Sequence, residues 1–233
     1  QARNLALLTS GEAGVLPHQR FQLGGSSAAA AAGIDPWRSR VMLWAELTGR
    51  VVREEAEHMW WGKALEPVID LAMVERGYEI MPAPAEGFQD PERPWLVGHP
   101  DGFLLLSGER AVYERKTMGQ WAHRANGSGA AVPLPYQCQA QVYMHLTGCT
   151  RTLVATLVGG QRLEVGTVEY DQQAASTLLA RMEDFRDHLR RDRPPAPDGS
   201  DSARAAVIAL FPEAQESKVY RLTRDEWRDV REL

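Results

Sequence analysis

Apolar and polar residues repeat with two different periods along the chain, and the change of period divides it into a helical beginning and a strand-rich middle. Small residues predict a first helix within 24–33, and apolar positions three or four apart predict a second that begins at Asp35 as N-cap. A third helix is predicted over 53–76. Pro67 removes an amide donor from that helix, so we expect a kink or a restart at Glu66.

The pattern then changes to short β-type runs. Residues 78–81, 94–106 and 110–117 are apolar runs separated by Pro, Gly, Asp and Ser, and a tight turn at 107–109 joins the last two. These runs predict an antiparallel meander. The remaining pattern predicts a helix over 136–148, strands over 151–160 and 162–170, and a helix that begins at Asp171.

The end of the chain has a different composition. Residues 193–202, rich in Pro, Asp, Ser and Gly, predict a linker after the last helix of the core. Residues 203–233 then read as an appended helical segment with a capping box at Thr223 and Glu226. We therefore expect one main domain over 1–195, followed by a linker and a C-terminal helical extension over 196–233.

Composition places the chain among ordinary globular proteins. Its 233 residues are 44% hydrophobic, which is enough for one large core. No apolar run is long enough to span a membrane and no secretory signal pattern is present, so a cytoplasmic location is expected. Cys138 and Cys149 are too few for a disulfide framework or a four-cysteine metal site, and two buried free thiols are expected.

Charge is distributed unevenly along the chain. The net charge of −5 argues against a protein that coats nucleic acid non-specifically. However, the acidic excess is concentrated in residues 54–101, whereas residues 1–53 and 102–170 carry a small basic excess. An anionic partner could therefore approach the basic segments, and the acidic segment could hold cations.

Charged side chains stand at the ends of the predicted hairpin. Residues two apart share a face of a strand, so Glu114 and Lys116 point the same way, and the turn brings Asp101 close to them. Two converging carboxylates repel each other unless a divalent cation lies between them, and oxygen ligands favour Mg²⁺ or Mn²⁺. Lys116 could then position a water molecule. The alternative is a solvated Glu–Lys pair beside an ordinary Pro-Asp-Gly turn.

These residues resemble a known family. The order Pro100-Asp101 and then Glu114-Arg115-Lys116 is similar to the PD-(D/E)XK nuclease signature. Three further stretches resemble the YqaJ-type viral recombinases, which are related to phage lambda exonuclease: "LGGSSAAAAAGIDPWRS", "WWGKALEP" and "YQCQAQVYM". The resemblance runs from about residue 20 to about residue 190. It implies an α/β (α+β) fold with a restriction-endonuclease-like core, in which helices flank a central mixed β-sheet.

The resemblance also implies roles for single residues. Asp101 and Glu114 would bind Mg²⁺, with Mn²⁺ as a possible substitute, and Lys116 would orient the attacking water. Glu66, from "GKALEP", would be an outer metal ligand or would hold a second metal ion. A plain surface glutamate is the alternative for Glu66.

A glutamine follows in the helix over 136–148. Gln139 shares a helix face with apolar residues, an unusual place for an amide that has no partner. The matching glutamine of the family supports the catalytic lysine or the nucleophilic water. Gln141 is two positions away and cannot share that face, so we prefer Gln139 as the fifth catalytic residue.

Two residues near the N-terminus match a phosphate site. Ser26 corresponds to the family serine that binds the 5′-phosphate of a DNA end, and a simple N-cap is the alternative. An arginine precedes that serine in the family. Arg20 is the nearest one here, and it lies one residue closer to the serine than the family spacing.

Together the motifs predict a Mg²⁺-dependent exonuclease that digests double-stranded DNA ends in the 5′→3′ direction and leaves 3′ single strands for recombination by annealing. The resemblance further implies a ring-shaped homotrimer, a single-strand annealing protein as a possible partner, and action in a bacterial or phage-infected cell. An endonuclease on the same fold and a non-catalytic subunit that binds DNA ends are the alternatives.

Overall fold

A computed structural model describes residues 21–53, 56–125 and 131–212 of the chain. Its helices are α1 (Gly25–Ala31), α2 (Arg40–Leu47), α3 (Glu57–Glu75), α4 (Gln120–Ala125), α5 (Leu134–Thr147), α6 (Gln172–Arg190) and α7 (Asp201–Leu210). Its strands are β1 (Leu23–Gly24), β2 (Ile80–Pro82), β3 (Phe88–Gln89), β4 (Leu96–Gly98), β5 (Gly102–Leu106), β6 (Glu109–Met118), β7 (Arg151–Val158) and β8 (Arg162–Glu169). Within these ranges, no helix is long and apolar enough to cross a membrane.

A mixed five-stranded sheet forms the centre of the fold. Its order is β2-β5-β6-β7-β8, and the β6–β7 pair is parallel while the other pairs are antiparallel. Parallel neighbours need a crossover, and α5 lies in the connection between β6 and β7. A smaller sheet has the order β1-β4-β3. Strand β6 is therefore a central strand, bonded on both edges.

Helices cover both faces of the large sheet. On one face, α3 packs Ile69 and Met73 against Leu104, Tyr113 and Leu153. On the other face, α1, α2, α5 and α6 share a larger core with the sheet, and the fully buried Met144, Met182 and Phe185 belong to it. The apolar residues of β5, β6 and β7 thus alternate between two cores, which fixes the register of the central strands.

Several predicted elements are present. The hairpin of β5 and β6 closes through Ser107 and Gly108, which have φ of 51° and 86°, as a two-residue turn with left-handed residues requires. Helix α6 begins at the predicted N-cap, where the Asp171 carboxylate accepts hydrogen bonds from the amides of Gln173 and Ala174. Both cysteines are buried free thiols, as expected.

The N-cap predicted for α2 was wrong, and of the kink or restart predicted at Glu66 the restart does not occur. Helix α2 is capped by Ser39, not by Asp35, because the Asp35 carboxylate instead accepts a hydrogen bond from the amide of Trp37 in a local turn. Helix α3 continues through Pro67 as one helix and does not restart there. Ile69, two residues after the proline, and Met73 are buried in the core between α3 and the sheet, so the helix packs against the sheet beyond Pro67.

The predicted run over 94–106 is divided between the two sheets. Strand β4 pairs with β1 and β3, whereas β5 pairs with β2 and β6, so only β2, β5 and β6 form the expected meander. Pro100 lies between β4 and β5 and has no amide hydrogen to donate to a neighbouring strand. The break leaves Asp101 immediately before β5, at the end of the central sheet.

Helix α7 begins inside the predicted linker and packs on the core. Ser200 caps it, and the buried Ala203 and Ala206 contact Val41 of α2. The Ser202 hydroxyl also accepts a hydrogen bond from the amide that precedes α2. The first helix of the extension is therefore held against α2. The boundary at residue 195 stays a prediction, and the capping box at 223–226 lies outside the described residues.

Candidate active site

The β5–β6 hairpin brings Asp101 and Glu114 together, as predicted. The amide of Asp101 donates to Glu114 Oε1 at 3.3 Å, and Asp101 Oδ2 accepts from the amide of Arg115 at 2.8 Å. The Asp101 carboxylate thus binds a main-chain amide of β6 just beyond the residues of β6 that pair with β5. Both carboxylates are fixed by backbone contacts at one end of the sheet.

Glu114 lies at the bottom of the site, 2% exposed. Its Oε2 accepts hydrogen bonds from Lys116 Nζ and from Gln139 Nε2, each at 2.9 Å. Burial raises the pKa of Glu114 to about 7; the Lys116 ammonium opposes this rise and the charge of Asp101 adds to it. A further positive charge beside Glu114 would therefore stabilise its ionised form.

Lys116 stays positively charged at neutral pH. Burial lowers the pKa of its amino group, but the Glu114 carboxylate outweighs burial and leaves the pKa above its ordinary value. The ammonium also lies 5.4 Å from the ring centre of Tyr136, at the beginning of α5. Lys116 is therefore a donor and a positive charge rather than a base.

Helix α5 distinguishes the two glutamines. Gln139 reaches Glu114, whereas Gln141 donates to the carbonyl of Glu169 and accepts from the amide of Asp171, so it links β8 to α6. The preferred residue is thus the one that the structure brings to the carboxylates. Gln139 contacts Glu114, which Lys116 also contacts, so its support of the lysine is indirect; the support of the water, the other role that the resemblance implies, stays a prediction.

The position of Gln139 depends on close packing around Tyr143. Gln139 Nε2 also donates to the Tyr143 hydroxyl at 3.2 Å. A Cβ atom at Gly25 would lie 2.7 Å from the Tyr143 ring and 3.1 Å from Gln139 Cγ, and one at Gly98 would lie 3.0 Å from the same ring. Glycine is thus required at both positions for α1 and β4 to approach α5 this closely.

Glu66 lies on the opposite face of β6. Arg115 separates it from the other acids: Nη2 lies 3.3 Å from Glu66 Oε2 and 3.6 Å from Asp101 Oδ1. Nη1 donates to Asp70 at 2.8 Å, and Asp70 also accepts from the Tyr113 hydroxyl. The structure therefore brings Glu66 to Asp101 through a guanidinium and does not bring it to Glu114.

Sequence reasoning missed Arg115 and Asp70. Arg115 is the variable residue of the Glu-x-Lys motif. It points to the other face of the strand, so the pattern gave no reason to connect it with the acids predicted to bind metal. Asp70 had one usable signal, because it lies one helical turn after Glu66 and therefore on the same face of α3.

The donor atoms suit a divalent cation of the Mg²⁺ type. Asp101 and Glu114 offer carboxylate oxygens at the same end of the sheet, where the Asp101 amide contacts Glu114, and the buried Glu114 charge lacks solvent to stabilise it. Within residues 21–53, 56–125 and 131–212, no group of three His, Cys, Asp or Glu side chains is arranged to hold a metal. Mg²⁺ is commonly held by one or two carboxylates with water in the other positions, so the pair is sufficient for it.

Ser26 lines a cleft beside these residues. The cleft has a volume of about 790 Å³, and Tyr136 and Gln139 form one wall. Ser26 is exposed and is not the N-cap of α1, which is Gly24; the neighbouring Ser27 makes the local hydrogen bonds with the Gly24 backbone. A larger cleft, of about 1160 Å³, lies between α5, β8 and α6 and contains none of the predicted catalytic residues. Volume alone therefore does not mark the site.

Of the basic and aromatic side chains that line the Ser26 cleft, three are exposed. Trp37, Arg53 and His58 line it and are exposed, so they are accessible to an anionic ligand. Arg20, the other residue predicted to bind phosphate, lies outside the described residues.

Solved structures resemble this fold. An alkaline exonuclease (LHK-Exo) from Laribacter hongkongensis matches with a TM-score of 0.61 and 20% identity, covering 75% of this chain and 90% of that one. A phage-related exonuclease from Haemophilus somnus 129PT matches with a TM-score of 0.53 and 16% identity, over 74% and 96% of the two chains. These likenesses confirm the predicted α/β (α+β) PD-(D/E)XK core, with helices on both sides of a mixed sheet.

Sequence comparison gives the family. The Bacillus subtilis (strain 168) protein YqaJ, described as uncharacterized, is 25% identical over 213 residues, which are 89% of this chain and 66% of that protein. The family model for the YqaJ-like viral recombinase domain matches residues 16–150, more than half of the chain. The matched segment contains the hairpin, Lys116 and Gln139. This chain belongs to the YqaJ-like viral recombinase family, as its motifs predicted.

Proposed function

We propose that this protein is a divalent-metal-dependent DNA exonuclease that degrades double-stranded ends in the 5′→3′ direction. The observation that carries the proposal is the convergence of two carboxylates, an ammonium and an amide at one end of the central sheet, namely Asp101, Glu114, Lys116 and Gln139. This combination suits hydrolysis of a phosphodiester, which needs a cation held by acids and a positive donor beside it.

Each residue of the group has a distinct task in this proposal. Asp101 and Glu114 hold Mg²⁺, or Mn²⁺ in its place, through carboxylate oxygens. When bound, the ion supplies positive charge for a phosphate oxygen and lowers the pKa of a water molecule. Lys116 orients that water and offsets negative charge that develops on the phosphate. Gln139 keeps Glu114 in place by donating to the oxygen that Lys116 also contacts.

The nature of the substrate is supported by the comparisons and by the cleft. The two solved structures named above are described as exonucleases, and a further one is LHK-Exo in complex with dAMP. In this chain, the exposed Ser26, Trp37, Arg53 and His58 give the adjoining cleft hydrogen-bond donors, a guanidinium and an aromatic surface, and three carboxylates also line it. The donors, the guanidinium and the aromatic surface are groups that bind phosphates and bases. We therefore propose that a DNA end enters through this cleft.

One assay tests the proposed activity. Linear duplex DNA with and without a 5′-phosphate, labelled at either the 5′ or the 3′ end, is incubated alongside a covalently closed circle. Each substrate is tested with Mg²⁺, with Mn²⁺ and with EDTA. We expect digestion of the linear DNA from its 5′ ends, a 3′ single strand as an intermediate, and no reaction in EDTA.

The alternatives give different results in the same assay. Nicking or linearisation of the circle would assign an endonuclease. Binding to linear ends without metal-dependent digestion would assign a non-catalytic subunit and would overturn the proposal. A ring-shaped homotrimer, a single-strand annealing partner and a cytoplasmic location belong to the same proposal. Light scattering of the full chain tests the first of these.

A further inference from the structure

Arg115 makes a set of contacts that the proposed mechanism does not use. Its guanidinium lies among three carboxylates, Glu66, Asp70 and Asp101, at 3.3, 2.8 and 3.6 Å. The Arg115 side chain is 16% exposed, whereas the side chains of the three acids are 26–38% exposed, so the guanidinium is the less solvated side of each contact. Two of the three acids, Glu66 and Asp101, are those to which the family motifs assign metal binding. A cation of the protein itself therefore already bridges them.

This guanidinium is fixed in place. One oxygen of Asp70 accepts a hydrogen bond from Arg115 Nη1, and the other accepts one from the Tyr113 hydroxyl at 3.0 Å. These two bonds fix the orientation of the Asp70 carboxylate. The main-chain amide of Arg115 is bound by Asp101. A guanidinium keeps its proton throughout the pH range in which proteins are folded, so the charge is permanent.

We propose that Arg115 serves as a built-in cation in place of a second metal ion, so that the site holds one divalent ion, at Asp101 and Glu114. The inference rests on the proposed function and specifies its metal content. Arg115 is in this sense a positioning residue: it orients Glu66 and Asp101 and touches neither the water nor the phosphate.

The charge of the site favours a single ion. Four carboxylates contact Arg115 or Lys116, namely Glu66, Asp70, Asp101 and Glu114. The two cations leave a formal charge of −2, which one divalent ion brings to zero. A second ion at Glu66 would have to displace the guanidinium or bind next to it. Two positive charges a few ångströms apart repel each other, and the repulsion is stronger beside a mostly buried guanidinium than it would be in water. Replacement of Arg115 by a neutral residue would remove that repulsion and leave the three acids without the guanidinium that now lies among them.

The test counts bound ions directly. The full-length protein is titrated with MnCl₂ alone at pH 8, and free Mn²⁺ is measured by electron paramagnetic resonance. Arg115→Leu and Arg115→Gln remove the charge, Arg115→Lys keeps it, and Asp101→Asn removes a ligand. Circular dichroism confirms that each variant is folded, and Gln retains a hydrogen-bonding group if Leu at this buried position prevents folding.

We expect one ion in the unmodified protein and in Arg115→Lys, and two in the neutral variants. The second ion should bind at least about tenfold more tightly in the neutral variants than in the unmodified protein. Two ions in the unmodified protein, or one in a folded neutral variant, would overturn the inference and leave the proposed function standing. No bound ion in the unmodified protein would overturn both.

Discussion

Metal binding should depend on pH through Glu114. A metal ion binds the ionised carboxylate, so protonation of Glu114 competes with the ion. With a pKa of about 7, Glu114 is about nine-tenths ionised at pH 8 and about one-tenth ionised at pH 6. We therefore expect the affinity for Mn²⁺ to fall about tenfold between these values, or about 1.4 kcal/mol. An exposed glutamate, ionised throughout, would give no change.

Calorimetric titration of the full-length protein with MnCl₂ at half-unit steps of pH measures this effect. Buffers with different ionisation enthalpies report the proton released, which should approach one per ion at pH 6 and fall towards zero at pH 8. Lys116→Met is the control, because loss of the ammonium that lowers the pKa of Glu114 should move the midpoint to higher pH. A flat affinity between pH 6 and 8 would refute this account of Glu114.

The raised pKa of Glu114 also affects the stability of the metal-free protein, which should decrease with rising pH while the metal affinity increases. The folded state holds the Glu114 proton up to about pH 7, whereas the unfolded chain loses it near the ordinary value of 4.5. Between these pH values the folded state binds more protons, so the contribution of Glu114 to the free energy of unfolding decreases as pH rises. We expect Glu114→Gln to weaken this decrease in urea titrations with EDTA. An unchanged slope in the variant would contradict the shift.

Four further substitutions give separate expectations. Lys116→Ala should abolish cleavage and leave binding of linear duplex DNA in EDTA nearly unchanged; full activity would remove Lys116 from the mechanism. Gln139→Leu should lower kcat about 10- to 100-fold, since Glu114 loses an amide donor, whereas Gln141→Leu should lower thermal stability and spare kcat. Equal kcat losses would contradict this division of roles. Phe185→Ala, fully buried, should reduce the free energy of unfolding in urea by about 3–5 kcal/mol, and a loss under 1 kcal/mol would contradict its place in the core.

The features that could be predicted from sequence depend on short-range geometry. Strand alternation alone placed Glu114 and Lys116 on one face, and the turn residues Ser107 and Gly108 paired the strands that bring Asp101 near them. The choice of Gln139 over Gln141 followed from helical periodicity. In each case the spacing of residues along one element, or along one hairpin, determines which side chains share a face. The rest of the fold need not be known.

The features that could not be predicted depend on which elements meet. The run over 94–106 is continuous in hydrophobicity, and only the presence of β1 and β3 shows that its first part belongs to another sheet. Glu66 could be placed on α3, but not on the far face of β6, because no local pattern states which side of the sheet α3 covers. Asp35 lies in a sequence typical of an N-cap, but its carboxylate binds the amide of Trp37 in a local turn and does not cap α2.

The glycines around Tyr143 have a consequence for sequence variation in the family. Gly25 belongs to the motif whose serine is matched to phosphate binding, yet its missing side chain makes room for an aromatic ring that touches Gln139. We expect positions 25, 98 and 143 to change together among relatives: a larger residue at either glycine should accompany a smaller one at 143. The glycine of this motif would then be inherited with the shape of α5 rather than with the ability to bind a DNA end.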